Sequence, residues 1–487
     1  MKQTRKNTPK YTKKYKKGGK VIACGGYGCV FNPSLKCKET KRITKRDKTK
    51  ITKLMINKYA LSEYKEIKMI KQKLDKIPNY KNYYLLDNIT ICKPAKLTKT
   101  DLQSFTKKCK ALPKHNITKT NINSKLDQLT ALNIPNGGVP IDDFLYIDDN
   151  YNKLYDTHKS MVQLLKNGII PMNNHGVYHS DIKDSNILIQ KTGTKLTTRL
   201  IDWGLTVKYT PKTTQPFPIY WRNRPFQFNT PFSIILFTDL FYNKYTEYLK
   251  NGGKPEEGQL KPFIINYINE WMEKRGAGHY KFINEIMFLL FQNSLTQTTK
   301  EDRPKIIETE ITFPYMVDYI VNILIDYTIF NEDGSLNLRE YLDNVFVKNI
   351  DIWGFISAYY PFLEMFGNNY NALNNTERKA FKQLQFIYTK YLFTESDKAV
   401  NMNNLYNDLD IFGELLFNIQ MINGYTTSSS SPSSSSSPSS PSTLTRSYHF
   451  IQKQPSEYKS RTTKTSPLFI KKPKSYNFKN PILLPSK

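Results

Sequence analysis

His179-Ser180-Asp181-Ile182-Lys183-Asp184-Ser185-Asn186, followed by Ile187-Leu188-Ile189 and then by Leu200-Ile201-Asp202-Trp203-Gly204, decides the fold. The apolar runs read as the two strands of a short hairpin, which puts Asp181 to Asn186 at its entrance and Asp202 at its exit. Chemically the stretch offers an Asp able to orient a hydroxyl and a Lys two residues later. It also offers two hard oxygen ligands, Asn186 and Asp202, of the kind that hold magnesium.

Those are the parts that phosphoryl transfer from ATP requires. The pattern H-x-D-x-K-x-x-N followed by D-x-G resembles the catalytic loop and metal site of the protein-kinase family. The resemblance implies an α+β, bilobal protein-kinase-like fold with a small β-rich N-lobe (about 21–135) and a large, mainly helical C-lobe (about 136–425). It assigns Asp181 and Lys183 to catalysis and Asn186 and Asp202 to magnesium, with manganese as the substitute. His179 then stands as a buried packing residue and not as a base. His158 and His175 read as structural or surface residues.

Further marks follow in family order. Val21-Ile22-Ala23-Cys24 and Cys29-Val30-Phe31 read as strands joined by Gly25-Gly26-Tyr27-Gly28. Ala23-x-Gly25-x-Tyr27-Gly28-x-Val30 is similar to the kinase phosphate loop, in which glycines let backbone N–H groups approach phosphates and Val30 would pack on adenine. Ala23 departs from the usual glycine. Lys53, in Ile51-Thr52-Lys53-Leu54-Met55, is the lysine set in an apolar strand and is read as the holder of the α- and β-phosphates, with Lys50 and Lys58 as competitors. Tyr59 to Leu74 has helical periodicity with Tyr59, Ile67, Ile70 and Leu74 on one face. Within it Glu66 is the expected partner of Lys53 and Glu63 the alternative.

Leu129 to Asn136 reads as a strand leading through Gly137-Gly138 to a helix that begins at Ile141, with Asp142 near its cap. Pro135 lacks the amide N–H a hinge position would use to read adenine. Tyr155 to Val177 is predicted to be one long amphipathic helix that delivers the catalytic loop. After Asp202, Phe217 to Pro231 is the expected platform for a peptide, although no A-P-E triplet is present. A helical insertion is expected over about 232–345, including Pro262 to Gly276 and Lys281 to Gln292. Asp351-Ile352-Trp353-Gly354-Phe355 then resembles the buried helix whose Asp holds the catalytic-loop backbone.

The length allows two or three domains. The formal net charge is +30, and its location matters more than its size: residues 1–58 carry net +17 and residues 426–487 net +9. The middle is therefore an ordinary globular surface. The ends, a basic arm over 1–20 and a Ser/Pro-rich then basic tail over 426–487, cannot build a core and are the expected contact for nucleic acid or another polyanion. Ser431, Ser437 and Ser440 each precede proline and are candidate phosphorylation sites. Five cysteines at no C-x-x-C spacing read as reduced thiols, neither a disulfide frame nor a zinc site. The N-terminal stretch lacks the apolar core of a secretory signal, and Phe313 to Phe330 is interrupted by Asp318, Asn322 and Asp326, so no span is expected.

Together these readings predict ATP-dependent phosphorylation of Ser or Thr hydroxyls on protein substrates. Lys183 directly after Ile182 favours the Ser/Thr class. Ser180 replaces the usual arginine and with it the cation that typically receives an activation-loop phosphate, so activity without that phosphate is expected. The phrase Gly25 to Cys37 and the basic, Asn- and Tyr-rich composition resemble divergent kinases encoded by large DNA viruses. That resemblance implies an intracellular setting, the cytoplasm or nucleus of a host cell, or the virion. Two rival readings stand beside this one: a small-molecule phosphotransferase of the aminoglycoside or choline kinase type, and a pseudokinase whose basic ends bind nucleic acid.

Overall fold

The computed structural model describes residues 20–38, 47–146, 153–212, 216–250, 255–295, 298–332 and 334–428. The basic arm before residue 20, most of the Lys-rich run Lys36 to Lys50, and the Ser/Pro and basic tail after residue 428 lie outside the described residues. The chain divides into two units, the first of residues 1–69 and 86–136 and the second of 70–85 and 137–487.

The first unit is built on an antiparallel sheet of β1 (Lys20–Cys24), β2 (Gly28–Asn32), β3 (Lys50–Ile56), β4 (Thr90–Cys92) and β5 (Leu129–Pro135) in the order β1-β2-β3-β5-β4. β3 is central, and Thr52 to Met55 are all buried, which is why that run reads as apolar on both faces. The helix Asn57–Leu74 follows β3 directly. Residues 97–122, uninformative by periodicity, supply Leu97, Leu102, Phe105, Leu112, Ile117 and Ile122 to one cluster with Val21, Phe31, Leu54 and Leu129. They do so in short turns, so no long helical pattern marks them.

Four of the five cysteines are paired, Cys29 with Cys109 and Cys37 with Cys92, which corrects the expectation of reduced thiols. The partners are 80 and 55 residues apart, so only the folded sheet and the segment packed on it bring them together.

The second unit has a three-stranded sheet, β6 (Val139–Pro140), β8 (Ile187–Thr192) and β9 (Lys195–Leu200), and a two-stranded one, β7 (Val177–Tyr178) with β10 (Val207–Lys208). Around them pack helices, among them Asp239–Lys250, Glu257–Arg275, Tyr280–Phe291, Phe313–Tyr327, Val347–Ser357 and Asn375–Tyr388. The expected single helix over 155–177 is shorter and interrupted. It runs Leu154–Leu164, widens by one π turn over Leu165–Ile169, and resumes over Ile170–Asn174. Pro171 has no N–H for the i−4 carbonyl, and the wider turn accommodates that loss. Gly176 at φ 66° ends the helix and turns the chain into β7.

Val347–Ser357 is buried on nearly every side. Trp353 meets Phe232 at 5.3 Å and Tyr319 at 5.7 Å between ring centroids, so the 232–345 region shares one aromatic core with this helix. The C-terminal helix Met402–Ser428 is pinned by His158, whose Nδ1 lies 2.9 Å from Tyr359 Oη and whose ring leaves no room for a side chain at Gly413. No described helix is long and apolar enough to cross a membrane.

Candidate active site

In the first unit the glycine turn is closed by Gly25 N donating to Gly28 O at 2.9 Å. Gly28 faces β3, where a Cβ would come within 2.5 Å of Met55 Cγ and 2.9 Å of Leu54 O. Only glycine allows strands β2 and β3 to approach this closely here. Gly26 is open, Ala23 is exposed, and Tyr27 is 54% exposed with its ring against Tyr59.

Val30 stands opposite Lys53 across β2 and β3. Lys53 is buried, and its Nζ donates to both carboxylate oxygens of Glu63, at 2.8 and 2.9 Å. Glu63, and not the expected Glu66, therefore makes this ion pair. The helix starts at Asn57, immediately after β3, so its second turn faces the strand and Glu66 falls nearly a full turn farther on. A side chain at Gly25 would touch Lys53 Cε at 3.6 Å, so the ammonium lies directly under the turn.

In the second unit the loop His179 to Asn186 is fixed from several sides. Asp351, fully buried, accepts from His179 N at Oδ2 and from Ser180 N at Oδ1, both at 2.8 Å. The Asn173 amide, with its nitrogen turned to Asp351, adds a third donor at 2.8 Å. Burial pushes the Asp351 carboxyl up to about 7, and the two backbone donors pull the other way. Gly354 lies one turn along, where a Cβ would stand 2.7 Å from Ile182 O. His179 is buried, as the sequence implied: its Nε2 lies 2.9 Å from Ile201 O, and burial holds its pKa below the ordinary value.

Asp181 is the focus of this network. Asn186 Nδ2 donates to its Oδ2 at 2.9 Å and its main-chain O at 2.8 Å, and Lys183 Nζ reaches Oδ2 at 2.9 Å. Asn186 O accepts from Ile201 N at 3.0 Å, which ties the loop to the residue before Asp202. Asp202 itself has left-handed backbone, φ 64°, a conformation that costs energy for a non-glycine residue and that Asp tolerates better than most.

Three residues from the segment after Asp202 join the loop, and the sequence reading did not single them out. Asn229 Nδ2 donates to Asp181 Oδ1 at 2.8 Å and to Ile182 O at 3.2 Å. Trp221 Nε1 donates to Ser180 Oγ at 2.9 Å. Arg224, 7% exposed, donates to Ser180 O at 3.1 Å and also to Gln227 Oε1. A guanidinium from a distant part of the chain thus holds the loop at Ser180. No signal separates Arg224 from the other 71 basic residues by sequence. Asp184, also on the loop, is fully buried, and burial with the nearby Asp142 raises its carboxyl pKa.

A family model described as the ABC1 atypical kinase-like domain matches residues 107–223, a span that contains His179 to Asn186 and Asp202. The domain is kinase-like. No curated protein matches the sequence.

The residues of this kinase-like domain fit the groups such a fold uses. Asp202 offers a carboxylate and Asn186 an amide oxygen, its nitrogen being committed to Asp181, and both are hard oxygens of the kind that magnesium takes. A glycine turn over a buried lysine is a cradle for phosphate oxygens.

Proposed function

We propose that this kinase-like domain transfers the γ-phosphoryl group of Mg-ATP to a Ser or Thr hydroxyl of a protein. The observation that carries the proposal is Asp181. Both of its carboxylate oxygens are held by donors from Asn186, Lys183 and Asn229, on a loop whose backbone Asp351 anchors. A carboxylate fixed in this way accepts a hydroxyl proton without first reorganising, which is how positioning lowers the barrier of a loose transfer reaction.

Asp181 orients the hydroxyl and takes its proton late. Lys183, paired with Asp181, lends positive charge to the transferring group, and Asn186 and Asp202 hold the metal. Bound magnesium neutralises charge on the β- and γ-phosphates. In the first unit Lys53, aligned by Glu63, holds the α- and β-phosphates; Ala23, Gly25, Gly26, Tyr27 and Gly28 form the turn over them, and Val30 packs on adenine.

The test is to incubate purified chain with labelled Mg-ATP and a basic protein substrate, beside Asp181→Asn and Asp202→Asn. Label on protein with the native chain alone supports the proposal. Equal label from all three sinks it. Transfer to small amines or sugars but never to protein replaces it with small-molecule phosphorylation.

A further inference from the structure

Cys24 and Cys29 flank the glycine turn on either side and face each other across the β1–β2 hairpin. Cys24 is exposed and is the one free cysteine among the described residues. Its Sγ lies 3.9 Å from Cys29 Sγ, and Cys29 is already bonded to Cys109. The backbone N–H groups of Lys110 and Ala111 donate to Cys24 Sγ at 3.2 and 3.3 Å, fixing the free sulfur beside this disulfide. Cys29 and Cys109 are themselves fully buried, so Cys24 is the sulfur through which outside thiols reach the bond.

We propose that Cys24, Cys29 and Cys109 form a thiol–disulfide exchange relay that resets the covalent frame of the glycine turn. Cys24 gives its proton to solvent and its thiolate attacks Cys29 Sγ. The Cys24–Cys29 bond forms as the Cys29–Cys109 bond breaks, and the electron pair leaves on Cys109 Sγ, which takes up a proton. One thiol and one disulfide exist before and after, so no oxidant or reductant is consumed. Directly opposed residues of an antiparallel pair have Cα atoms about 4.5–5.5 Å apart. That lies inside the span of about 4.4–6.8 Å that a disulfide bridges.

The two isomers differ in what they tie. In one, β2 is fastened to the segment after the helix Phe105–Lys108. In the other, the two strands are fastened to each other at the mouth of the turn and the buried segment is released. The consequence for nucleotide rests on the phosphate role proposed above; the exchange itself does not.

The full chain, held under native conditions in buffers of varied reduced-to-oxidised glutathione ratio, is quenched with N-ethylmaleimide, digested without reduction and mapped by mass spectrometry. The relay predicts two species, one alkylated at Cys24 with Cys29–Cys109 intact and one alkylated at Cys109 with Cys24–Cys29 formed. In Cys24→Ser, Cys29 is found bonded only to Cys109, and in Cys109→Ser with oxidised glutathione it is found bonded to Cys24. Alkylation confined to Cys24 at every ratio in the native chain overturns the relay, and this map decides even if Cys109→Ser does not fold. Affinity for an ATP analogue, compared between oxidised and reduced Cys109→Ser, is expected to differ about fivefold or more. Exchange in the map with equal affinities upholds the relay and counts instead against the phosphate role of the turn.

Discussion

The glycine turn and the loop His179 to Asn186 are the two places where the proposed function puts its chemistry, and they are built in opposite ways. The turn is open: Tyr27 is more than half exposed, Gly26 meets nothing, and the hairpin's one free thiol faces solvent. The loop is closed: Asp181, Asp184, Asn186 and the residues that hold them are nearly all buried. On the proposed function, a turn that admits and releases phosphates needs backbone without side chains and tolerates exposure. A carboxylate that must stay aimed needs donors on both oxygens and a buried anchor behind its backbone.

The largest expected effect tests the closed loop. Asp181→Asn should lower phosphoryl transfer about 10³-fold. Its thermal midpoint should stay within a few degrees of the native chain, and activity within tenfold would break the contrast.

Next comes acid stability of the second unit. Burial depresses His158 to about 3 and His279 to about 4, below the ordinary 6.5. Between those values the unfolded chain binds more protons than the folded one. The stability that these two neutral histidines contribute is therefore fully present above about pH 6.5 and is lost as pH falls toward 3, by up to about 5 kcal/mol for His158. Asp351 and Asp184, raised to about 7, and Asp142, raised to about 6, act in the opposite sense and gain stability as pH falls below those values. His158→Gln should make the unfolding free energy fall less, or rise more, from pH 7 to pH 4 than in the native chain; an unchanged slope would show that this histidine does not contribute to it.

Gly354→Ala drives a methyl into Ile182 O and should cost about 2 kcal/mol of stability, with a further loss of activity from the displaced loop. Denaturant unfolding measures the first and turnover the second. On the open side, Glu63→Gln should lower activity about tenfold by loosening Lys53, which is the lower end of what a positioned charge pair supplies. Glu66→Gln should change activity less than twofold. The reverse order would return the pairing to Glu66.

The smallest effect is expected at the activation segment. Thr210, Thr213 and Thr214, the threonines between Lys208 and Thr230, a stretch without serine, can be replaced together by Ala. Activity should stay within twofold, because Arg224 is already buried and bonded and has no free face for a phosphate. Loss of both phosphorylation and activity would overturn that.

The sequence by itself determined the landmarks whose chemistry requires particular residue types at short spacing. These are the glycine turn, Lys53 in an apolar strand, His179 to Asn186, Asp202, and Asp351 one turn before Gly354. Local periodicity also placed β3, β5 and the helix after β3 within a few residues. Contacts set by distant parts of the chain were not legible. Glu63 rather than Glu66 meets Lys53 because the helix begins at Asn57, and its phase relative to the strand is a matter of packing. Two disulfides join cysteines with no motif spacing. Arg224, Trp221 and Asn229 reach the catalytic loop from 41 to 48 residues away. Short-range pattern records the geometry of helices and strands, whereas which long-range partners satisfy a buried loop is fixed only when the whole core closes around it.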